Sequence, residues 1–167
     1  MESRIKALGL RVKTDDSDQS NGWKYAEYEM KGVPLRVEIG PKDMEKNQCV
    51  IARRDTGEKY FVPLEELEEK VQSLLKEVHD NLYESAKARL AANTFAFDSV
   101  EALKAAQEEH TCFAKTMWCG DEACEVAMKE QAGVSSRCIP FEQEHLGDTC
   151  PVCGKPAKKM VIWGVAY

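Results

Sequence analysis

The feature that most constrains this chain is a change of period at Gly32. Before it, Gly22 to Lys31 (GWKYAEYEMK) sets Trp23, Ala26 and Met30 at helical spacing, so a short helix would bring them to one face. After it, Val33, Leu35, Val37 and Ile39 alternate with Pro34, Arg36 and Glu38, the period-two pattern of a half-buried strand. Glycine takes a left-handed cap at no steric cost, so Gly32 ends the helix. Gly40-Pro41 then stops the strand and opens a loop carrying Lys42 and Asp43. A helix passed directly into a strand predicts an α/β unit, with Arg36 and Glu38 on the strand's outer face, close to Glu29, Lys42 and Asp43. As pattern alone, these charges read as an ordinary solvated face.

The flanks fill out the first half. Residues 2–9 (ESRIKALG) read as the end of a helix with Ile5 and Leu8 on one side and Gly9 as its cap. Leu10 to Thr14 alternates as a short strand, and Asp15 to Asn21 is a polar loop of turn formers. Cys49 to Arg54 reads as a strand, Asp55 to Glu58 as a hairpin-like turn, and Lys59 to Val62 as the returning strand. Arg53, Arg54 and Lys59 fit either phosphate or base contacts or a solvent face, and pattern does not choose. Cys49, in an apolar strand, reads as a small buried hydrophobe. From Pro63 to about Ala91 the period is helical, with Leu64, Leu67, Val71, Leu74, Leu75, Val78, Leu82, Ala86 and Leu90 forming a core stripe. His79 falls off it, as a surface histidine. This long helix closes a first domain over residues 1–92.

A second domain is expected over residues 93–167. Ala92 to Phe97 is a connection, Asp98 an N-cap with Glu101 as capping-box partner, and Ser99 to His110 a helix burying Val100, Leu103 and Ala106 or Gln107. Thr111 to Trp118 reads as a strand, Glu122 to Ala132 as a helix, and Ser136 to Phe141 and Lys159 to Ala166 as two further strands. Cys119 and Cys124 form a CxxxxC at the mouth of that helix; Cys150 and Cys153 form a CxxC between turn residues. Two short-spaced thiolate pairs supply the four soft ligands of a tetrahedral Zn2+ site with little backbone strain. Such a site is closed, and so structural rather than catalytic. A redox CxxC is the rival reading, but it prefers a helix N-terminus, and here Gly-Asp-Thr precedes and Gly-Lys-Pro follows. Cys112 and Cys138 read as buried bystanders, Cys138 being the one serious substitute ligand.

Composition bounds the partners. The chain has 167 residues and a formal net charge of −6, and ten basic and ten acidic residues lie between Arg11 and Lys59. Non-specific nucleic-acid binders carry a basic domain, so no DNA partner is expected, and any RNA would be read by placed groups and shape. No apolar run is long enough to span a membrane, and Met1-Glu2-Ser3-Arg4 opens no signal peptide. Seven cysteines without a signal peptide point to a reducing, cytoplasmic setting and to metal or free thiols.

The run GVPLRVEIGPKD, with the preceding GWKYAEYE and the later RRDTGEK, resembles the anticodon-binding domain of class II aminoacyl-tRNA synthetases. It is most similar to prolyl-tRNA synthetases of the archaeal and eukaryote-like type. The cysteine pairs, the CIPFE run and the terminal GVAY resemble the zinc-binding C-terminal domain of the same family. The fold class this implies is α/β: an anticodon-binding domain with a mixed sheet and flanking helices, its first strand missing, then a small two-layer α+β zinc domain. The resemblance implies a part of an enzyme that joins proline to its tRNA using ATP and Mg2+. The catalytic domain lies outside this sequence, so the piece would be inactive alone, and the full-length enzyme would be a homodimer. By position in the shared motif, Glu29, Arg36, Lys42, Asp43 and Lys59 would contact guanine-containing anticodon bases, and Arg53 and Arg54 phosphates. Cys119, Cys124, Cys150 and Cys153 would hold Zn2+, and the carboxylate of Tyr167 would reach toward the active site of the catalytic domain. The alternative from another class is a zinc-stabilised protein-interaction or scaffolding module; a third, a thiol oxidoreductase, would need Cys150-Cys153 as a metal-free dithiol.

Overall fold

The computed structural model describes residues 1–166, so the expectation placed on Tyr167 lies outside the described residues. The chain divides into two compact units, Met1–Ala86 and the residues from Lys87 onward.

In the first unit, α1 (Glu2–Lys6) and α2 (Asn21–Met30) precede β1 (Leu35–Glu38), α3 (Pro41–Glu45), β2 (Gln48–Arg53), β3 (Lys59–Pro63), a 3₁₀ turn (Leu64–Glu66) and α4 (Leu67–Ala92). The strands form one sheet in the order β1-β2-β3, with Val37 opposite Ile51 and Ile51 opposite Tyr60. Both pairings are antiparallel, which corrects the mixed sheet expected for this unit. The core gathers Ile5, Cys49, Ile51, Val62, Leu67, Val71 and Leu74, with Leu35 and Val37 packed on it. Cys49 is fully buried, as a small hydrophobe.

Several local expectations are corrected here. Leu10 to Thr14 is extended but joins no sheet; Leu10 and Val12 pack on the core as single side chains instead. Ser20 caps α2, and Gly32 follows it at φ 78°, the left-handed turn its sequence position requires. The helix does not bury the Trp23–Ala26–Met30 face: Trp23 is 49% and Met30 80% exposed. Lys24, Tyr25, Glu27 and Tyr28 are the half-buried side. Tyrosines bring an apolar ring and a polar tip, so this face can cover a charged strand surface that Met30 cannot satisfy. The loop expected at Lys42 and Asp43 is the helical turn α3, started by Pro41, with Asp43 accepting a hydrogen bond from the Gly40 amide (3.0 Å). The stripe on α4 is core only in its first half: Leu67, Val71, Leu74 and Val78 are buried, whereas Leu82 and Leu90 are exposed.

The second unit orders its strands β4-β5-β7-β6, from β4 (Thr94–Ala96), β5 (Phe113–Trp118), β6 (Val134–Cys138) and β7 (Lys159–Val165). The stretch read as a plain connection thus contains β4, which pairs parallel to β5 through the crossover helix α5 (Val100–Glu109). β7 runs antiparallel between β5 and β6, so this sheet is mixed. α5 is capped by Ser99, whose hydroxyl accepts from the Ala102 amide, one residue later than the Asp98 cap expected. α6 (Glu122–Ala132) follows β5. Val100, Leu103, Met128, Ala132 and Val134 close over Ala114, Val161 and Trp163. The buried Trp163 indole donates to the buried Thr116 hydroxyl at 2.9 Å, so the two polar groups satisfy each other inside that layer. Cys112 is buried, whereas Cys138 is exposed at the irregular end of β6, against the expectation of a buried bystander.

Candidate nucleic-acid interface and metal centre

Two constellations stand out, one in each unit. The first is built where α2 passes over the outer face of β1. The Arg36 guanidinium lies over the Tyr25 ring, its Cζ 3.8 Å from the centroid. Its Nε donates to Glu38 Oε1 at 2.9 Å and its Nη1 to Glu29 Oε1 at 2.6 Å. The Tyr25 hydroxyl donates to the other Glu38 oxygen at 3.0 Å, and Lys59 Nζ stands 3.5 Å from Glu38. Strand alternation puts Arg36 and Glu38 on one face, helix spacing puts Tyr25 and Glu29 one turn apart, and the β2–β3 hairpin brings Lys59 across. A stacked, charge-paired arginine of this kind is held by about 1–2 kcal/mol of cation–π attraction besides its ion pairs. Burial pushes the Glu38 carboxyl up, but the hydrogen bonds from Arg36 and Tyr25 and the Lys59 charge outweigh it, so Glu38 is held below the usual carboxylate range.

Glu29, Arg36 and Lys59, picked out by sequence, are therefore gathered into one cluster. Tyr25 and Glu38 belong to it too, although the family resemblance assigned neither of them a contact. Their signal was available, since Tyr25 and Glu29 are four apart on a helix and Glu38 shares the strand face of Arg36. Arg54 is exposed and lines a small depression with Tyr28, Glu29, Val33, Arg36 and Ala52. Lys42 is exposed on the first turn of α3. Asp43 is engaged within its own turn: besides the Gly40 amide, it accepts from Gln48 Nε2 at 3.0 Å.

Arg53 is the correction. Its side chain is only 7% exposed and forms a bidentate pair with Asp55, at 3.0 and 2.7 Å, plus a bond to Glu77 at 3.1 Å. With its guanidinium spent on the buried Asp55 carboxylate and on Glu77, Arg53 is not placed to contact a phosphate.

The second constellation is the four cysteines. The sulfurs of Cys119, Cys124, Cys150 and Cys153 all lie within 4.8 Å of one another. Cys119 stands 3.7 Å from both Cys124 and Cys153. Four sulfurs at a Zn–S distance of about 2.3 Å on a tetrahedron are about 3.8 Å apart, whereas a disulfide needs about 2.05 Å. The donor set therefore fits a tetrahedral soft metal. Asp121 caps α6 through the Ala123 amide and so places Cys119 and Cys124 around that helix start. The other pair rides a tight hairpin: Cys150 N donates to Lys155 O and Gly154 N to Cys150 O, both at 2.9 Å, with Gly154 left-handed at φ 68°. Burial raises the Cys150 thiol, but backbone amides of Cys153, Val152 and Cys119 aimed at it bring it down to about 7. Met117, Ala157 and Met160 pack around the buried pair Cys124 and Cys150. A metal held by all four sulfurs would staple the β5–α6 corner to the 148–157 hairpin.

Comparison with known proteins matches a family domain to each half of the chain. A family model described as Anticodon binding domain matches residues 1–74. One described as Prolyl-tRNA synthetase, C-terminal matches residues 100–167. The chain is 55% identical over 157 residues to proline–tRNA ligase 2 of Bacillus thuringiensis subsp. konkukian (strain 97-27), which covers 94% of this chain and 33% of the relative. It is 54% identical over 157 residues to the proline–tRNA ligase of Clostridium novyi (strain NT), again over 94% of this chain and 33% of the relative. For that of Clostridium botulinum (strain Okra / Type B1) the figures are 53% over 158 residues, 95% and 33%. The chain spans about a third of the length of these relatives. It is a member of the prolyl-tRNA synthetase family and carries that family's anticodon-binding and C-terminal domains.

Proposed function

We propose that this chain is the part of a cytoplasmic proline–tRNA ligase that reads the anticodon of proline tRNA, followed by a zinc-stapled C-terminal domain. The observation that carries the reading is the Arg36 fork: a stacked guanidinium between two carboxylates, on a face where both partners can be reached by solvent. Guanine offers acceptors at O6 and N7 and donors at N1 and N2, which is the complement of an arginine beside a carboxylate. Glu38 and Tyr25 fix the guanidinium plane. Glu29, with a side chain 52% exposed, is the partner free to leave Arg36 and accept from the base. Lys59 and Lys42 add cations beside this edge, Arg54 takes a backbone phosphate, and Asp43 shapes the α3 turn that presents Lys42.

Zn2+ is held by Cys119, Cys124, Cys150 and Cys153, where it contributes folding energy. Proline activation with ATP and Mg2+, and the homodimer contacts, belong to the two thirds of a full-length ligase not represented in this chain. Titration of the chain with proline tRNA at fixed salt, beside Arg36→Ala, tests the reading. A loss of at least about tenfold in affinity supports it, since one bidentate base contact is worth about 1–3 kcal/mol. Equal binding by the two proteins favours a zinc-stabilised protein-interaction module instead.

A further inference from the structure

Arg53 and Asp55 are buried on either side of an exposed Arg54, and both are gripped by one ridge of α4. Ser73 Oγ donates to Glu77 Oε1 at 2.8 Å, Arg53 Nη1 donates to Glu77 Oε2 at 3.1 Å, and Asn81 Nδ2 donates to Asp55 Oδ2 at 2.8 Å. Residues 73, 77 and 81 follow one another at four-residue spacing, the spacing that lines up neighbours on one helix face. The Asp55 side chain is 1% exposed, so both of its oxygens are committed within this network. The backbone is tied as well: Arg53 N donates to Glu58 O at 2.9 Å, Gly57 N to Arg53 O at 3.1 Å, and Arg54 N to Pro34 O at 3.0 Å. Every group around Arg54 is thus anchored, while its own guanidinium has no ion-pair partner among the described residues and lines the depression beside Arg36.

We propose that Arg53 and Asp55 are positioning residues for Arg54, and that the Ser73–Glu77–Asn81 ridge of α4 sets where that guanidinium meets an RNA backbone phosphate. The inference rests on the reading of this face as the anticodon interface. Its physical content is preorganisation. Fixing a residue's backbone costs conformational entropy, and a turn already clamped before binding does not incur that cost again. Loosening the clamp should therefore weaken binding through Arg54 and through nothing else.

A double-mutant cycle on the whole chain tests this, with proline tRNA as the probe and several salt concentrations. Arg54→Ala is expected to lower affinity and to reduce the slope of log K against log[salt] by about 0.7, the value of one phosphate contact on a single strand. Asp55→Asn and Asn81→Ala are each expected to lower affinity about five- to tenfold in the Arg54 chain and by less than about twofold in the Arg54→Ala chain. Asn81→Ala leaves the Arg53–Asp55 pair in place, so it keeps the test available should Asp55→Asn fail to fold. Losses of the same size in both backgrounds, or none, overturn the proposal. If the unsubstituted chain discriminates against a tRNA lacking the anticodon guanines while Arg54→Ala changes nothing, the positioning role falls and the anticodon reading stands. If the unsubstituted chain shows no such discrimination, both fall.

Discussion

Arg36 and Tyr25 are stacked at 3.8 Å, and both are bonded to the same carboxylate, that of Glu38. The triangle fixes a guanidinium plane at the surface of β1 before any ligand arrives, and the stack and the fork both depend on that plane. Lysine has neither. Arg36→Lys is therefore expected to lose most of what Arg36→Ala loses, about 1–3 kcal/mol of tRNA affinity, although the charge is kept. Isothermal titration of the three proteins with proline tRNA measures this; a Lys variant that binds like the unsubstituted chain would mean that charge alone is recognised.

Acid should find a weak point at Asp55. Hydrogen bonding from Arg53 holds its carboxyl at about 2, against an ordinary value of 3.8. A depressed folded-state value means that the pair's contribution is fully present above about pH 4 and is lost as pH falls from there toward 2. Asp55→Asn should lower the urea midpoint at pH 6 and make it less dependent on pH over that window. A midpoint that declines as steeply in the variant as in the parent would place the acid-labile group elsewhere.

Metal removal should act on one unit. Trp118 and Trp163 both pack in the second unit, and Trp163 is 1% exposed, whereas Trp23 of the first unit is already half exposed. Chelation, or Cys150→Ser, should therefore shift tryptophan emission to longer wavelength. The far-UV signal of the first unit should persist. Zinc-dependent folding of small domains is worth about 10–16 kcal/mol in apparent binding energy, so the change should be cooperative. Metal analysis should return about one zinc per chain, as a four-thiolate site requires.

The long helix makes a sharper stability claim. Leu74 is fully buried and Leu90 is 55% exposed, although both lie on the same apolar stripe. Leu74→Ala should cost about 2–5 kcal/mol by denaturant titration. Leu90→Ala should stay within about 0.5 kcal/mol.

These cases also show what was legible in the sequence. α6 begins at Glu122 and ends at Ala132 as read, because an N-cap aspartate and a following glycine bracket a strong helical run. The cysteine pairs converge as their spacing required. β4 was missed because three residues on a parallel edge carry no period of their own. The role of Arg53 was hidden for a related reason. β2 is buried from Cys49 to Arg53 without alternation, so nothing in the pattern says that its last residue turns inward to Asp55. The inward face of α2 was misjudged because hydrophobicity ranks Trp23 and Met30 above tyrosine. The face that packs here must meet charged groups on β1 and the Asp15 carboxylate, which accepts from the Tyr28 hydroxyl at 2.9 Å.

The most direct test of the central claim varies the RNA and leaves the protein untouched. The chain is titrated at one stated salt concentration with proline tRNA and with the same tRNA whose two anticodon guanines are replaced. Anticodon reading through the Arg36 fork predicts a loss of about 1–3 kcal/mol for each replaced base. Equal affinity for the two tRNAs would contradict it.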